Sequence, residues 1–398
     1  MASSRWLGFL LLPVLLAGVT GCGGLGASST AVASSPATPS PTPTAGTPSS
    51  ATAPKFKFWY QPWNPQITPA AVKPADVVIG LEPFNVAKAH ALGKLVMQYQ
   101  SYYQAIPNSP LLTNTADLAN VGFEINHQFV INIFGNPANS YVMCPNSVIF
   151  HQRVQQYVQE AINSEYDGLF VDNTFFDPPA HLVCDGAHAH VDPTVEGGRA
   201  YLTLLAEVRQ TIKAHNPKAI LMTNPGDPAW ADLMVTGSPT VWDLSDYVLW
   251  ESWGYTGFTD ARHDNWADAI PKSYKVIAKD SENVSKLVML SYVKSVTEAR
   301  FAFAVARFFG FNWTANLGGT YLNSIPFSLG EPIGTLPGQD SVLHRAFEHG
   351  EVFVNTSAIP QSVTVPAGTL YLGDTTQDAA ASTVQELQPR TAAIVLFK

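Results

Sequence analysis

The sequence predicts an α/β fold: a (β/α)8 TIM barrel followed by a small antiparallel β-sandwich. In the middle of the chain, short apolar runs alternate with stretches of helical periodicity, which is typical of parallel β/α units. Several of these runs end in a carboxylate or an amide, as strands do at the functional rim of a barrel. From about Gly338 the pattern changes to closely spaced alternating strands with turn residues between them.

The strands of the barrel are predicted from eight apolar runs. They are Phe56–Gln61, Val77–Glu82, Leu95–Gln100, Leu169–Asp172, Ile220–Asn224, Tyr247–Glu251, Leu287–Tyr292 and Thr320–Asn323. Helices are predicted over Val148–Ser164, Glu196–His215 and Ser295–Phe309, where apolar residues recur at helical spacing. The third unit is irregular, with an inserted strand or hairpin over Phe123–Phe134. A doubly wound open sheet is the competing architecture.

The N-terminus has the pattern of an export signal. Arg5 precedes the apolar run Trp6–Val19, which is short for a membrane span, and Val19-Thr20-Gly21-Cys22 closes it. This closing segment resembles the lipobox of bacterial lipoproteins, which implies removal of residues 1–21 and lipid on Cys22. The alternatives are ordinary secretion with Cys22 incidental, or a short buried helix.

The domain boundaries follow from composition. Residues 22–54 are almost wholly Ser, Thr, Ala, Pro and Gly, so we predict a disordered tether. Residues 55–337 form the predicted barrel, and residues 338–398 form the predicted sandwich. We expect a monomer in the bacterial cell envelope, lipid-anchored and facing outside the cytoplasm.

Composition excludes some classes of partner. Charged residues make up 13% of the chain, aromatic residues 11%, and the net charge is −9. An acidic protein does not suit nucleic acid, whereas many aromatic residues and few charges suit a neutral, hydroxyl-rich ligand. The sequence contains no nucleophile elbow, phosphate-binding glycine loop or His-Glu-x-x-His motif.

The two cysteines after Cys22 are Cys144 and Cys184, which flank the strand ending at Asp172. An exported protein meets oxidising conditions, so we predict a disulfide between them, with two free buried thiols as the alternative. His181, His188 and His190 lie near Cys184, but in a polar loop, and we predict no metal site there. No cofactor is predicted.

Two carboxylates carry the functional prediction. Leu169-Phe170-Val171 leads into Asp172, and Tyr247-Val248-Leu249-Trp250 leads into Glu251. Strands two apart in a barrel place their ends on one rim, and cleavage of a glycosidic bond needs two carboxyl groups. We expect Asp172 to act as nucleophile or base and Glu251 as general acid. The structural alternative is that Asp172 caps a turn and Glu251 pairs with a cation.

Other polar and aromatic residues at strand ends are candidates for substrate contact. Glu82 is the main rival for a catalytic role, Lys294 is a candidate for lowering a carboxylate pKa, and the aromatic residues are candidates for stacking on sugar rings. The predicted substrate-binding residues are Trp63, Glu82, Gln100, Asn173, Asn224, Trp253, Tyr292 and Lys294.

Residues 166–173, with the sequence Tyr-Asp-Gly-Leu-Phe-Val-Asp-Asn, resemble the YDGVFLDN strand of glycoside-hydrolase-like TIM-barrel families related to endo-α-1,4-polygalactosaminidases. The hypothetical glycosyl hydrolase family with a short β domain after its barrel is the most similar of these. Its G-x-VLVNP strand is similar to Glu351–Thr356, where Thr356 replaces the usual proline. The resemblance covers residues 55–398 and implies a catalytic carboxylate at Asp172. The match at Glu251 keeps the acid but little of its surroundings.

Together these observations predict a glycoside hydrolase acting on a polysaccharide or oligosaccharide, with an amino-sugar- or galactose-containing α-linked polymer as one candidate. The first alternative is a non-catalytic carbohydrate-binding surface lipoprotein. The second is a solute-binding lipoprotein, which the terminal β module disfavours because such proteins have two similar lobes.

Overall fold

The structure is a computed structural model that describes residues 57–60, 72, 74–131, 140–174, 179–226, 237, 239–255, 264–315 and 319–398. The predicted signal peptide, Cys22, the tether and Trp63 lie outside the described residues. The described elements belong to one compact unit.

A parallel sheet of eight strands forms the centre of the molecule. The strands are β1 (Phe58–Tyr60), β2 (Val77–Ile79), β3 (Leu95–Ser101), β4 (Gly168–Asp172), β5 (Ile220–Thr223), β6 (Tyr247–Trp250), β7 (Leu287–Ser291) and β8 (Asn312–Ala315). Their order in the sheet follows the chain from β1 to β8, and all neighbours are parallel. Thr314 Oγ1 in β8 donates to the carbonyl of Phe58 in β1 at 2.9 Å, so the two edge strands approach each other. This is a curled parallel sheet of the (β/α)-barrel type.

Helices cover the outer face of the sheet, as expected when parallel strands are joined by crossover connections. The long helices are α1 (Pro83–His90), α2 (Val148–Asn163), α3 (Gly197–His215), α4 (Trp266–Lys279) and α5 (Val296–Phe309). The shorter helices are Thr115–Asp117, Leu118–Val121, Pro179–His181, Val241–Leu244, Ser281–Lys286, Gly319–Leu322 and Phe327–Leu329. In the part of the chain that the structure describes, no helix has the length and apolarity required to span a membrane.

Two of the predicted helices begin at a serine cap. Ser147 Oγ accepts from the backbone N–H of Phe150 at 3.2 Å at the start of α2, and Ser295 Oγ accepts from Glu298 at 3.1 Å at the start of α5. Each cap satisfies a backbone donor that the first helical turn leaves unpaired. The predicted helix boundaries at these positions are therefore confirmed to within a residue.

The alternation of side chains divides the barrel into two cores. Phe170, Met222, Leu249 and Leu290 belong to a cluster inside the curled sheet, whereas Val171 and the other residues of opposite parity pack against the helices. This parity is what directs particular strand-end residues toward the barrel interior.

The prediction of the eighth strand at Thr320–Asn323 is wrong. Gly319–Leu322 is helical, and the eighth strand is Asn312–Ala315, which begins shortly after Gly310 ends α5 with a φ of 86°. Asn312 and Thr314 obscure the strand in the sequence because they are polar, yet both are buried. The side chain of each residue donates hydrogen bonds to backbone carbonyls of neighbouring segments.

The irregular third unit contains a hairpin within the range Phe123–Phe134, where the sequence predicted an inserted strand or hairpin. Glu124–Ile125 pairs with Gln128–Phe129, and both turn residues have positive φ, 52° at Asn126 and 58° at His127. Two positive φ values at the centre of a two-residue loop define the tight turn that joins twisted antiparallel strands. A further short pair joins Gln104–Ala105 to Tyr141–Val142.

The C-terminal region consists of antiparallel strands. They are β9 (Val342–Phe347), β10 (Gly350–Asn355), β11 (Gln361–Val365), β12 (Gly368–Leu372), β13 (Thr375–Ala379), β14 (Thr383–Leu387) and β15 (Ala392–Leu396). One sheet has the order β9-β10-β15-β12-β13, and β11 pairs with β14. Side chains from both sheets share one apolar cluster, so the two sheets pack against each other.

Helix α5 attaches the C-terminal sheets to the barrel. Arg345 in β9 donates to the carbonyl of Phe308, and Arg300 donates to the carbonyl of Gly373 at 3.0 Å. Both arginines are buried. Their hydrogen bonds compensate for the loss of hydration that burial imposes on a guanidinium group.

The predicted disulfide between Cys144 and Cys184 is not formed. Both cysteines are free and buried. The Cys184 sulfur instead has non-covalent neighbours: the backbone N–H of Glu124 donates to it at 3.4 Å, and His188 Nε2 lies 3.8 Å away. The structure therefore places imidazole groups beside the two thiols, in the loop where the sequence predicted no metal site.

Candidate active site

Four polar residues meet at the carboxyl ends of adjacent strands. Asp172 is the last residue of β4, and Asn224, Glu251 and Tyr292 each come directly after the last residue of β5, β6 and β7. All four have the same parity as the apolar residues inside the sheet, so they continue its inner face. The sequence placed these residues correctly at strand ends.

Backbone hydrogen bonds hold these residues in register beyond the ends of the strands. The Asn224 N–H donates to the carbonyl of Val171, and the N–H of Thr174 donates to the carbonyl of Asn224, both at 2.9 Å. The Glu251 N–H donates to Gly226 at 2.9 Å. The side chains at the site are thus fixed by the sheet and its first loop residues.

A single amide joins the two carboxylates. Asn224 Nδ2 donates to Asp172 Oδ1 at 2.7 Å and to Glu251 Oε2 at 2.7 Å. The two oxygens are therefore at most about 5.4 Å apart, the sum of the two hydrogen-bond lengths. The Asn224 Oδ1 accepts from the N–H of Gly226 at 3.0 Å, which fixes the orientation of the amide.

Tyrosine hydroxyls occupy the remaining oxygens of the pair. Tyr292 donates to Glu251 Oε1 at 2.6 Å, and Tyr99 donates to Asp172 Oδ2. Asn173, whose φ is 55°, turns back so that its Nδ2 lies 3.2 Å from Asp172 Oδ2. Every recorded partner of the two carboxylates is a donor, an arrangement that favours their ionised forms.

The electrostatics of the pair are dominated by burial. Asp172 is 7% exposed, whereas Glu251 is half-buried. Burial, followed by the charge of Glu251, raises the pKa of Asp172 from 3.8 to about 6, while the hydrogen bonds from Tyr99 and Asn224 lower it. The same burial and negative charge raise the pKa of Tyr99 and of Tyr292 well above the ordinary value of 10.0, so both hydroxyls remain donors.

In the part of the chain that the structure describes, ion pairing does not neutralise the two carboxylates. Among the described residues, no lysine or arginine forms an ion pair with Asp172 or Glu251. The predicted alternative, in which Glu251 is tied to a cation, finds no partner in this part of the chain. Burial and then the negative charge of Glu251 therefore raise the pKa of Asp172 without an opposing ion pair among the described residues.

Several predicted substrate-binding residues lie elsewhere. Gln100 is buried on the outer face of β3, where its amide donates to Gln98 at 2.5 Å and its oxygen accepts from Tyr102. Trp253 is a core residue that is 1% exposed, with its ring edge-on to Trp266. Both side chains are enclosed by protein, so the structure does not bring them together with the two carboxylates.

The two remaining charged candidates lie at the starts of helices. Glu82 is the residue before α1 and is exposed, and burial, followed by the charge of Glu82, raises the pKa of Tyr166. Lys294 is exposed beside the start of α5, where its backbone N–H donates to Glu298 at 2.7 Å. Neither has a recorded contact with the pair.

Tyr99 is the residue that the sequence analysis missed. It stacks on Phe170 inside the sheet, with ring centroids 5.7 Å apart, and this position brings its hydroxyl to Asp172. The neighbouring Gln98 and Gln100 drew attention as polar residues, but they occupy the opposite face. Counting back by twos from Ser101, which pairs with Asp172, identifies Tyr99 as inward-facing.

A separate apolar pocket is also present. Tyr103, Phe123, Met143, Thr174 and Tyr201 are among the residues that line it. Neither carboxylate lines this pocket. Its lining is apolar, so it does not suit a hydroxyl-rich ligand.

Comparisons with known proteins give structural neighbours only. No protein-family model matches the chain, and no curated protein matches it. The glycoside hydrolase domain of PelA from Pseudomonas aeruginosa is similar at 18% identity and a TM-score of 0.45, over 65% of this chain and 92% of that one. An α-amylase from Anoxybacillus is similar at 9% identity and a TM-score of 0.48, over 83% and 88% of the two chains. An α-amylase from Lactobacillus plantarum is similar at 10% identity and a TM-score of 0.48, over 79% of this chain and 81% of that one. At this level of similarity the reaction has to be argued from the side chains.

Proposed function

We propose that the protein is a glycoside hydrolase that cleaves a polysaccharide or oligosaccharide with Asp172 and Glu251. The observation that carries the proposal is the shared amide of Asn224, which holds one oxygen of each carboxylate at 2.7 Å from the same nitrogen. Two carboxyl groups on one rim are the chemical requirement for acid-assisted cleavage of a glycosidic bond.

The short separation supports a retaining reaction. Carboxyl groups about 5–5.5 Å apart are typical of retaining enzymes, whereas inverting enzymes leave about 6.5–9.5 Å for a water molecule. The upper limit of about 5.4 Å between Asp172 Oδ1 and Glu251 Oε2 agrees with the first class. Product analysis by NMR at early times tests this directly, because a retaining enzyme first releases a product with the same anomeric configuration as the substrate.

The hydrogen bonds support a division of roles. Asp172 has donors at both oxygens and is fixed by Tyr99, Asn173 and Asn224, which suits a nucleophile that must be held in position. Glu251 is half-buried, which suits an acid that exchanges protons with a leaving group and with water.

The steps follow from these roles. Asp172 attacks the anomeric carbon while Glu251 gives its proton to the departing glycosidic oxygen, which leaves a glycosyl ester on Asp172. Glu251, now ionised, takes a proton from water, and the resulting hydroxide displaces Asp172 and regenerates both carboxyl groups. Neither step requires a metal or an organic cofactor.

The roles are tested by azide rescue with aryl glycosides of the matching sugar. Azide added to Asp172→Ala is expected to give a glycosyl azide of inverted configuration, and azide added to Glu251→Ala is expected to give one of retained configuration. The reverse pattern would exchange the two roles while keeping the mechanism. Rescue of neither variant, together with full activity of both, would exclude paired-carboxylate catalysis.

The substrate and the architecture around the site complete the proposal. An amino-sugar- or galactose-containing α-linked polymer is the first candidate, to be tested in a panel of polysaccharides with product analysis. We also propose that β1 and β8 close the sheet into a (β/α)8 barrel, and that the C-terminal sheets form a sandwich beside it. Binding of a glycan without cleavage would instead support the non-catalytic carbohydrate-binding lipoprotein.

The location of the enzyme is proposed from the N-terminal sequence. Lipid on Cys22 would attach the chain to a membrane of the bacterial envelope, and residues 23–54 would separate the barrel from it. Mass spectrometry of the N-terminal peptide tests the modification. In a Cys22→Ser variant we expect the protein to leave the membrane fraction, and its retention there would contradict the anchor.

A further inference from the structure

Two thiols and two imidazoles form a cluster away from the carboxylate pair. Cys144 follows the short strand Tyr141–Val142, whereas Cys184, His188 and His190 lie in the loop between β4 and α3. One candidate ligand atom from each of these four residues lies within 4.8 Å of each of the others. The sequence separates Cys144 from the other three by about 40 residues, so only the fold brings them together.

We propose that Cys144, Cys184, His188 and His190 form a structural zinc site. A set of two sulfurs and two nitrogens is one of the common donor sets of structural zinc, which prefers tetrahedral geometry. Hard cations such as Mg²⁺ and Ca²⁺ prefer oxygen donors, and the cluster contains none.

The distances are compatible with tetrahedral coordination. Zinc–ligand lengths of about 2.0–2.3 Å imply ligand–ligand separations of about 3.3–3.8 Å. The Cys184 sulfur and His188 Nε2 are 3.8 Å apart, which is within this geometry. The widest allowed separation of 4.8 Å needs a contraction of about 1 Å, which small side-chain rotations provide.

The hydrogen bonding of the imidazoles points to a ligand. His190 Nε2 is a buried nitrogen atom without a hydrogen-bond partner among the described residues. A buried polar atom without a partner is destabilising, so its position beside the thiols calls for a compensating interaction. The two rings lie 4.5 Å apart, side by side at the thiols.

A backbone donor already contacts one of the sulfurs. The Glu124 N–H donates to the Cys184 sulfur at 3.4 Å. A hydrogen bond of this kind orients a thiolate ligand and stabilises its charge in metal sites. The surroundings of Cys184 are therefore compatible with a metal-bound thiolate.

The loop is fixed in the conformation that the site needs. The Val148 N–H donates to Ala189 at 3.0 Å and the Val191 N–H donates to Asn146 at 2.8 Å, which places His190 beside Ser147 and near Cys144. At Gly186, a Cβ would come within 2.5 Å of the His188 ring, so only glycine allows the ring to fold back toward Cys184.

Zinc at this position would tie the loop between β4 and α3 to the segment before α2. The loop continues the strand that ends at Asp172, so the metal would stabilise one wall of the barrel rim. This inference does not depend on hydrolysis, because its readouts are metal content and thiol chemistry.

The test uses the full-length chain purified without reductant or chelator. We expect about one zinc per chain by elemental analysis, loss of that zinc with a strong chelator, and a lower melting temperature after its removal. Replacing zinc with Co²⁺ is expected to give the thiolate-to-cobalt charge-transfer and tetrahedral d–d bands in the unaltered protein.

Variants locate the metal. Cys184→Ser and His190→Ala are expected to lose most of the bound zinc. His181→Ala, in the same loop, and His127→Ala, in an exposed group with Glu124 and Asp185, are expected to keep it. Equal zinc content in all four variants, or loss only in the two controls, would place the metal elsewhere and overturn the proposal.

Two further outcomes would overturn it without any variant. One is a disulfide-linked peptide that joins Cys144 to Cys184 after digestion without reductant, which would mean that these two thiols are oxidised. The other is a chain with free thiols that takes up neither Zn²⁺ nor Co²⁺ at equimolar concentration.

Discussion

Asp172 and Glu251 share one hydrogen-bond donor, the side-chain nitrogen of Asn224, which lies 2.7 Å from an oxygen of each. This bridge keeps two negative charges close in a place where one of them is buried, and the cost is visible in the raised pKa of Asp172. A site that bears such a cost is a candidate for function, because stability alone favours removal of one charge.

Removal of the Asp172 charge is expected to stabilise the protein. Since the pKa of Asp172 rises from 3.8 to about 6 on folding, the folded state favours its protonated form, and that stabilisation is lost as pH rises through about 6. Asp172→Asn is expected to raise the free energy of unfolding at pH 7 by about 1–3 kcal/mol. Denaturant unfolding at pH 7 and pH 4 measures the difference in the free energy of unfolding between the variant and the parent. This difference is expected to vanish at pH 4. A variant less stable than the parent at both pH values would contradict this account.

The hydroxyl of Tyr99 is expected to set the pH dependence of catalysis. It donates to Asp172 and favours the ionised carboxylate, so Tyr99→Phe is expected to raise the pKa of Asp172 further. The acidic limb of kcat/KM should therefore move to higher pH. The matched control is Tyr247→Phe, inside the same sheet at the opposite end of its strand. An acidic limb that stays in place, or moves to lower pH, would mean that Tyr99 does not act on Asp172.

Asn224 is expected to position both carboxylates. Asn224→Ala removes the shared donor and leaves the two charges facing each other, so kcat/KM is expected to fall by about 100-fold, the usual effect of a small displacement of catalytic groups. Asn224→Asp adds a third carboxylate and is expected to shift the acidic limb to higher pH as well. Asn216→Ala, in the turn between α3 and β5, serves as the control. Activity within a factor of two of the parent in Asn224→Ala would remove Asn224 from the mechanism.

The ion pair of Asp117 and Arg153 is expected to stabilise the irregular third unit. Arg153 Nη2 lies 2.9 Å from Asp117 Oδ1, both side chains are largely buried, and the arginine holds the pKa of Asp117 well below its usual range. Asp117→Asn is expected to lower the free energy of unfolding by about 2–3 kcal/mol. This contribution is present above pH 3.8 and is lost as pH falls below it.

The control for this pair is the exposed ion pair between Lys398 and Asp378, with side chains 64% and 71% exposed. Asp378→Asn is expected to change the free energy of unfolding by less than about 0.5 kcal/mol. Equal effects of the two substitutions in urea unfolding would contradict the stabilising role of Asp117.

The sequence predicted the functional rim better than the residues around it. Strand ends are visible as an apolar run followed by a polar residue, which located Asp172, Asn224, Glu251 and Tyr292. The side on which a polar residue lies depends on the register of the sheet, and for this reason Gln100 was chosen over Tyr99.

Other predictions failed where polar or aromatic residues are buried in positions that the sequence pattern does not reveal. Asn312 and Thr314 obscured the eighth strand because they satisfy their hydrogen bonds on backbone carbonyls inside the fold. Trp253 follows a strand end as a binding residue does, but a loop that turns inward buries it against Trp266. The relation of Cys184 to His190 depends on the path of a long loop, which composition does not define.

The most direct test of the central claim is the hydrolysis of a glycan identified in the substrate panel by the parent chain, Asp172→Asn and Glu251→Gln. Circular dichroism and unfolding of each variant establish that the fold is intact. We expect a loss of kcat of at least about 10³-fold in Asp172→Asn and a clear loss in Glu251→Gln, with glycan binding retained in both. Folded variants that cleave the glycan at the rate of the parent would contradict the claim that Asp172 and Glu251 perform the reaction.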